Sequence, residues 1–164
     1  MAQRKKLPQK VTSTSHYKTL ITASAEETRA FGDHLARSLK AGDVIFLKGD
    51  LGTGKTTFVQ GIARGLGIRA FVRSSSFVLV NEYAAHPLNL YHMDLYRLAV
   101  GEVEDLGLEE YLFGDGVTVI EWAERIEPLS MPFSHEIRMS WVSENMRKIE
   151  VFRSAAGKHK KGKT

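Results

Sequence analysis

Eight consecutive residues, Gly49-Asp50-Leu51-Gly52-Thr53-Gly54-Lys55-Thr56, fit the pattern G-x-x-x-x-G-K-[ST] in full. Glycine makes up about 7% of average sequences, so a chance match in a chain of this length is on the order of one in two hundred. The residue types suit a phosphate cradle. Gly49, Gly52 and Gly54 let the backbone bring N–H groups close to phosphate oxygens. A helix opening at Lys55 adds the partial positive charge of its N-terminus. Lys55 then reaches the β- and γ-phosphates, and Thr56 offers its hydroxyl to Mg²⁺. Thr57, one position deeper, is expected to bond the α-phosphate. The pattern implies binding of ATP with Mg²⁺ by Gly49, Gly52, Thr53, Gly54, Lys55, Thr56 and Thr57.

A phosphate loop of this type works with a second acid, carried at the end of a distant buried strand, that holds Mg²⁺ or its water. Two carboxylates qualify. Glu121 directly follows the apolar run Val117-Thr118-Val119-Ile120, and Asp94 lies in Leu90-Tyr91-His92-Met93-Asp94-Leu95-Tyr96-Arg97. Either could face the metal or the attacking water. His92 precedes Asp94 by two residues, so on a strand the two share a face. Without further ligands at metal spacing, His92 reads as a packed or hydrogen-bonded histidine. Trp122 reads by default as core.

These groups need elements to hold them. Ser24 and Glu27 form a capping-box pattern. Phe31, Leu35 and Leu39 follow at four-residue spacing, which predicts a helix stopped near Gly42. Val44-Ile45-Phe46-Leu47 reads as a strand buried on both faces and leads straight into the glycine-rich segment. The next helix has Phe58, Val59, Ile62, Ala63 and Leu66 inside and ends near Gly67. Residues 77–83 and 90–96 read as an antiparallel hairpin around Pro87, and Val103, Leu106, Leu108 and Leu112 as one or two short helices. A second buried strand covers Val117–Ile120, and Pro128 and Pro132 mark a loop. Ile137, Met139 and Trp141, then Ile149 and Val151, alternate with polar residues and predict a final hairpin with one wet face. The order predicts an α/β fold: a single P-loop domain whose central sheet is mixed and largely parallel, flanked by helices, with antiparallel hairpin additions.

The chain has 164 residues, enough for one domain, and no cysteine, which excludes disulfide and thiol chemistry and fits a reducing cytoplasm. No apolar run approaches the roughly 18 residues of a membrane span. The net charge of +4 is unevenly placed. Residues 1–10 and 153–164 together carry +9 and no acid, which leaves the body at −5. The division expected is therefore a basic flexible segment over 1–18, the domain over 19–152, and a basic disordered tail over 153–164.

Four motifs fall in a telling order: the loop through Thr57, then Val72-Arg73-Ser74-Ser75-Ser76-Phe77-Val78-Leu79-Val80-Asn81-Glu82-Tyr83, then His92-Met93-Asp94-Leu95-Tyr96-Arg97-Leu98, then Ile120-Glu121-Trp122. Across roughly residues 19–126 the chain resembles the TsaE family, the small bacterial ATPases of the pathway that makes threonylcarbamoyl-adenosine in tRNA. The resemblance implies a Mg²⁺-dependent ATPase, weak alone, acting in the cytoplasm with TsaB and TsaD partners and touching tRNA only indirectly. It implies Lys55, Asp94 and Glu121 as catalytic residues, with Thr56 and Glu121 toward the metal and Asp94 close to the γ-phosphate. It places Thr22 to Ser24 near the adenine. Residues 74–77 correspond to a switch-like loop that in the family reads S-P-T-[FY]. Here Ser75 and Ser76 stand in for the proline and threonine, which loosens the backbone. Two rival readings need separate tests: a small-molecule kinase, with Arg64, Arg69, Arg73 and Arg97 as candidate lid arginines, and a nucleotide-binding regulator without turnover.

Overall fold

The computed structural model describes residues 13–74, 79–99, 102–103, 106–112, 114–129 and 131–155. Val44–Lys48 (β2) is apolar on both sides and is covered on both. Ile45 and Leu47 face one core cluster, while Val44 and Phe46 face the other. Val117–Glu121 (β5) is buried at all five positions and pairs parallel with β2. Continuous burial of this kind is what a central parallel strand requires.

Five more strands, two of them at the edges, complete the sheet among the described residues. These are Thr14–Thr22 (β1), Val80–Tyr83 (β3), Leu90–Asp94 (β4), His135–Trp141 (β6) and Arg147–Ser154 (β7). Among the described residues the sheet has seven strands in the order β1-β7-β6-β2-β5-β4-β3. The pairs β6–β2, β2–β5 and β5–β4 are parallel, and β1–β7, β7–β6 and β4–β3 are antiparallel. The mixed, largely parallel sheet and the antiparallel additions agree with the sequence.

Ala25–Ala36 (α1) and Lys55–Gly65 (α2) cover one face of the sheet. The capping box forms as predicted: the Glu27 N–H donates to Ser24 Oγ at 3.1 Å, and the Ala23 N–H donates to Glu27 Oε2 at 2.7 Å. The two helices cross very closely. A Cβ on Gly32 would sit 2.5 Å from the Phe58 carbonyl oxygen, and one on Gly61 would sit 2.2 Å from that of Arg29. Around this crossing Arg64 bridges Glu26 and Asp33. Gly67 ends α2 in a Schellman arrangement, with its own N–H on the Arg64 carbonyl and the Ile68 N–H on the Ala63 carbonyl. The opposite face is covered by Val103, Leu108 and Leu112, the last in the one-turn helix Glu109–Leu112 (α3), and by a 3-10 helix over Ala123–Leu129.

The structure departs from the sequence reading in several places. Helix α1 ends at Ala36, not near Gly42. Its last turn passes into two hydrogen-bonded turns that still bury Leu39, so the four-residue spacing outruns the helix. Pro128 lies within the 3-10 helix, and Pro132 lies in the loop after it. Trp141, read as inward-facing, is 51% exposed. Residues 14–18, assigned to a basic flexible segment, belong to strand β1, and Arg153 and Ser154, assigned to a disordered tail, end strand β7 and pair with Ser15 and Thr14. Strand β1 is exposed over most of its length and lacks the alternation that would betray it. Residues 1–12 and 156–164, and Phe77 and Val78 of the expected hairpin, lie outside the described residues.

Candidate active site

The strand register brings two acids together. Leu47, one residue before the end of β2, is opposite Glu121, and Asp94 at the end of β4 is opposite Glu121 on its other side. The glycine-rich loop leaves from the same edge, at the C-terminal ends of parallel strands, where open α/β sheets bind ligands. There a cleft of about 330 Å³ is lined by Leu51, Gly52, Gly54, Lys55, Thr56, Thr57, Ser74, Asp94, Tyr96, Glu121 and Trp122.

The loop takes shape from its glycines. Gly49 has φ +145° and lies so close to β6 that a Cβ would meet the Met139 carbonyl oxygen at 2.4 Å. Gly54, at φ +93°, is the N-cap of α2 and supplies no side-chain cap, so the first amides of the helix are left for another acceptor. Thr53 is fully buried, and its hydroxyl donates to the Asp50 carbonyl at 2.8 Å. The side chain of Thr53 thus braces the loop, and neither Thr53 nor Gly49 lines the cleft. Lys55 Nζ donates to the carbonyls of Gly49 at 2.6 Å and Asp50 at 2.9 Å. It also lies 4.1 Å from the centroid of the Trp122 ring, a cation–π contact. Burial pushes the Lys55 pKa below its usual value, against the opposing pull of Glu121, Glu124, Asp94 and Asp50.

The two acids have distinct surroundings. Glu121 is 2% exposed, and both of its oxygens accept from Thr56 Oγ1, at 2.9 and 3.2 Å. His92 Nε2 lies 2.9 Å from Glu121 Oε1. Asp94 is half-buried; Oδ2 accepts from Ser74 Oγ at 2.5 Å and Oδ1 from the Tyr96 N–H at 3.0 Å. Ser74 is the one described residue of the expected switch-like loop; residues 75–77 lie outside the described residues.

Trp122 carries a finding that the sequence does not announce. Its φ is +58°, the left-handed region, where a non-glycine residue costs roughly 1–3 kcal/mol. This conformation turns the chain from β5 into the 3-10 helix and sets the ring against Tyr96, with centroids 4.8 Å apart, inside the cleft. Trp122 therefore packs on the core and lines the site at once. The β6–β7 hairpin supplies two further neighbours that sequence reasoning missed. Arg147 Nη2 donates to the Gly52 carbonyl at 3.4 Å and stacks over Trp141, which lies beside Gly52. Both are far from the motif in sequence, and only the hairpin brings them there. Thr22, placed by resemblance near an adenine, is buried against Thr28, with the hydroxyls 2.8 Å apart. Arg64, a candidate lid arginine, is engaged on α1.

The oxygen donors suit Mg²⁺. The ion favours oxygen ligands, keeps several waters, and is commonly held by one or two protein groups together with phosphates. A hydroxyl and a carboxylate within 2.9 Å of each other at a phosphate loop meet that requirement. Among the described residues no cluster of three or more His, Cys, Asp or Glu forms an all-protein metal cage.

The fold and the loop define a P-loop nucleotide-binding domain. Residues 22–150 match the family model described as "Threonylcarbamoyl adenosine biosynthesis protein TsaE", and the chain belongs to that family. It is 52% identical over 106 residues to the tRNA threonylcarbamoyladenosine biosynthesis protein TsaE of Bacillus subtilis, covering 65% of this chain and 66% of that one. The protein of the same name from Nostoc is 41% identical, over 80% of this chain and 83% of its own length. The crystal structure titled YdiB, from B. subtilis, superposes with a TM-score of 0.74 at 38% identity, covering 87% of this chain and 88% of that one. Among the described residues, no helix is long and apolar enough to cross a membrane.

Proposed function

We propose that the chain is a Mg²⁺-dependent ATPase that supports threonylcarbamoyl-adenosine modification of tRNA in the cytoplasm, together with TsaB- and TsaD-like partners. The observation that carries the reading is the contact of Thr56 with Glu121 at the head of the phosphate loop. It joins the two oxygen donors that a P-loop site uses around its metal. The relatives' names supply the pathway.

In this reading Gly52, Gly54 and Thr57 face the phosphates, and Lys55 exchanges the carbonyls of Gly49 and Asp50 for phosphate oxygens. Thr56 and Glu121 hold the metal, which when bound supplies charge neutralisation on the phosphates. Asp94 orients the attacking water, and Trp122 and Tyr96 shield the cleft from bulk solvent. The relatives named for tRNA modification and the engagement of Arg64 on α1 both weigh toward this reading over a kinase. The test is phosphate release at fixed ATP and Mg²⁺, run beside a reconstituted tRNA-modification assay under multiple turnover. Stimulation of modification by the intact chain and not by a Lys55→Ala variant is the result expected. Full modification without the chain would reject the reading.

A further inference from the structure

The imidazole of His92 has no exposed surface, yet it sits among apolar strands beside the most buried acid of the cleft. On β4 it is opposite Val119 of β5, so Glu121, two residues further on, is its diagonal neighbour on the same sheet face. Nε2 lies 2.9 Å from Glu121 Oε1, and Nδ1 has no hydrogen-bond partner among the described residues. Since a carboxylate oxygen accepts and does not donate, the proton of this bond is on Nε2. The ring therefore aims an N–H donor at Glu121.

We infer that His92 is a positioning residue for Glu121, fixing the carboxylate in the orientation that meets Thr56 and the metal. The inference rests on the reading of Thr56 and Glu121 as the metal-side pair. Its physical basis is the division of labour on the carboxylate. Thr56 Oγ1 bonds both carboxylate oxygens in this structure, but its hydroxyl is the group offered to the ion. Once that hydroxyl is turned to a ligand, a bond independent of Thr56 must hold the carboxyl torsion. His92 supplies that bond from a strand rather than from the loop. A carboxylate held by an outer partner loses less freedom on binding, and removal of such a partner typically lowers metal affinity about tenfold or more.

The experiment measures affinity for a non-hydrolysable ATP analogue by calorimetry across a Mg²⁺ titration. The proteins are the full-length wild type and the His92→Leu, His92→Asn and His92→Gln variants, each checked for a cooperative thermal transition. Leucine fills the space without a donor. Asparagine keeps an amide that falls short of Glu121, while glutamine extends further. The expectation is unchanged affinity without Mg²⁺ in all three. Half-saturation should need about tenfold more Mg²⁺ for leucine and asparagine, with most of the wild-type response restored by glutamine. The comparison of asparagine with glutamine decides the matter even where leucine fails to fold. A wild-type Mg²⁺ response in the leucine or asparagine variant, or equal loss in asparagine and glutamine, overturns the inference. A wild-type protein whose affinity ignores Mg²⁺ would remove the metal-side reading, and the inference with it.

Discussion

Thr56 and Glu121 are 65 positions apart and meet hydroxyl to carboxylate at 2.9 Å, one on the first turn of α2 and the other at the end of β5. The β2–β5 register is what brings them together, because Leu47, one residue before the end of β2, pairs with Glu121 at the end of β5 and the loop between β2 and α2 is short. Glu121→Gln keeps the shape and one acceptor but removes the charge. Phosphate release by this variant should fall by more than its affinity for ATP, because the proposed role of the lost charge is in metal and water placement. Asp94→Asn should behave in the same way, with Ser74 and the Tyr96 amide still holding the side chain. Wild-type turnover in both variants, with partners present, would remove the catalytic roles.

Lys55 is now bonded to its own loop and to the Trp122 ring. Charge-assisted contacts to phosphate are worth roughly 1.5–3 kcal/mol. Lys55→Ala should therefore weaken ATP binding about tenfold or more. Unchanged binding by calorimetry in a folded variant would refute the phosphate role.

Some of this arrangement is legible in the chain because it is local. The loop, the buried strands before it and before Glu121, and the cap at Ser24 each depend on residues within a few positions of one another. What escapes the sequence is long-range. The His92–Glu121 bond depends on strand register, and register is not written in either segment alone. Trp122 reads as core because an aromatic after an apolar run is ordinarily core, and only its left-handed backbone turns it into the cleft. Strand β1 is hidden because an exposed edge buries too little to impose alternation. The glycines of the helix crossing show no pattern until both helices are placed.

That crossing makes a stability prediction in which two effects oppose each other. Gly61→Ala gains about 1 kcal/mol of helix propensity. It also places a methyl group 2.2 Å from a backbone oxygen, which cannot swing away as a side chain would. Overpacking typically costs 1–3 kcal/mol, so the clash should win and the melting temperature should fall by several degrees. A melting temperature equal to or above wild type would show that α1 and α2 separate easily.

His135 gives a pH dependence whose sign is fixed. Burial pushes its pKa below the ordinary 6.5, with Arg153 adding to the shift and Asp43 opposing it. The unfolded chain then binds more protons than the folded one between 6.5 and the lower folded value. The stability that depends on a neutral His135 is complete above pH 6.5. It is lost as the pH falls from there toward the folded value. His135→Gln should flatten this part of the denaturation-midpoint profile; an identical profile in wild type and variant would exclude His135 as its source.

The last prediction concerns the rate of the isolated chain. Efficient hydrolysis on a P-loop needs positive charge beyond the loop lysine, often an arginine brought by a neighbour. Among the described residues lining the cleft, Lys55 is the only cation. Arg64 is held on α1 by Glu26 and Asp33, and Arg147 bonds backbone carbonyls around Gly52 and its own hairpin. Reaching the cleft would require either to give up these bonds. The Asp94 carboxylate is meanwhile held by Ser74. A partner surface that docks at the cleft can supply that positive charge. Phosphate release should thus be slow for the chain alone and should rise severalfold or more with TsaB- and TsaD-like subunits. Steady-state release at fixed ATP and Mg²⁺, per active site, makes the comparison. Equal rates with and without those subunits would show that the chain completes its own site.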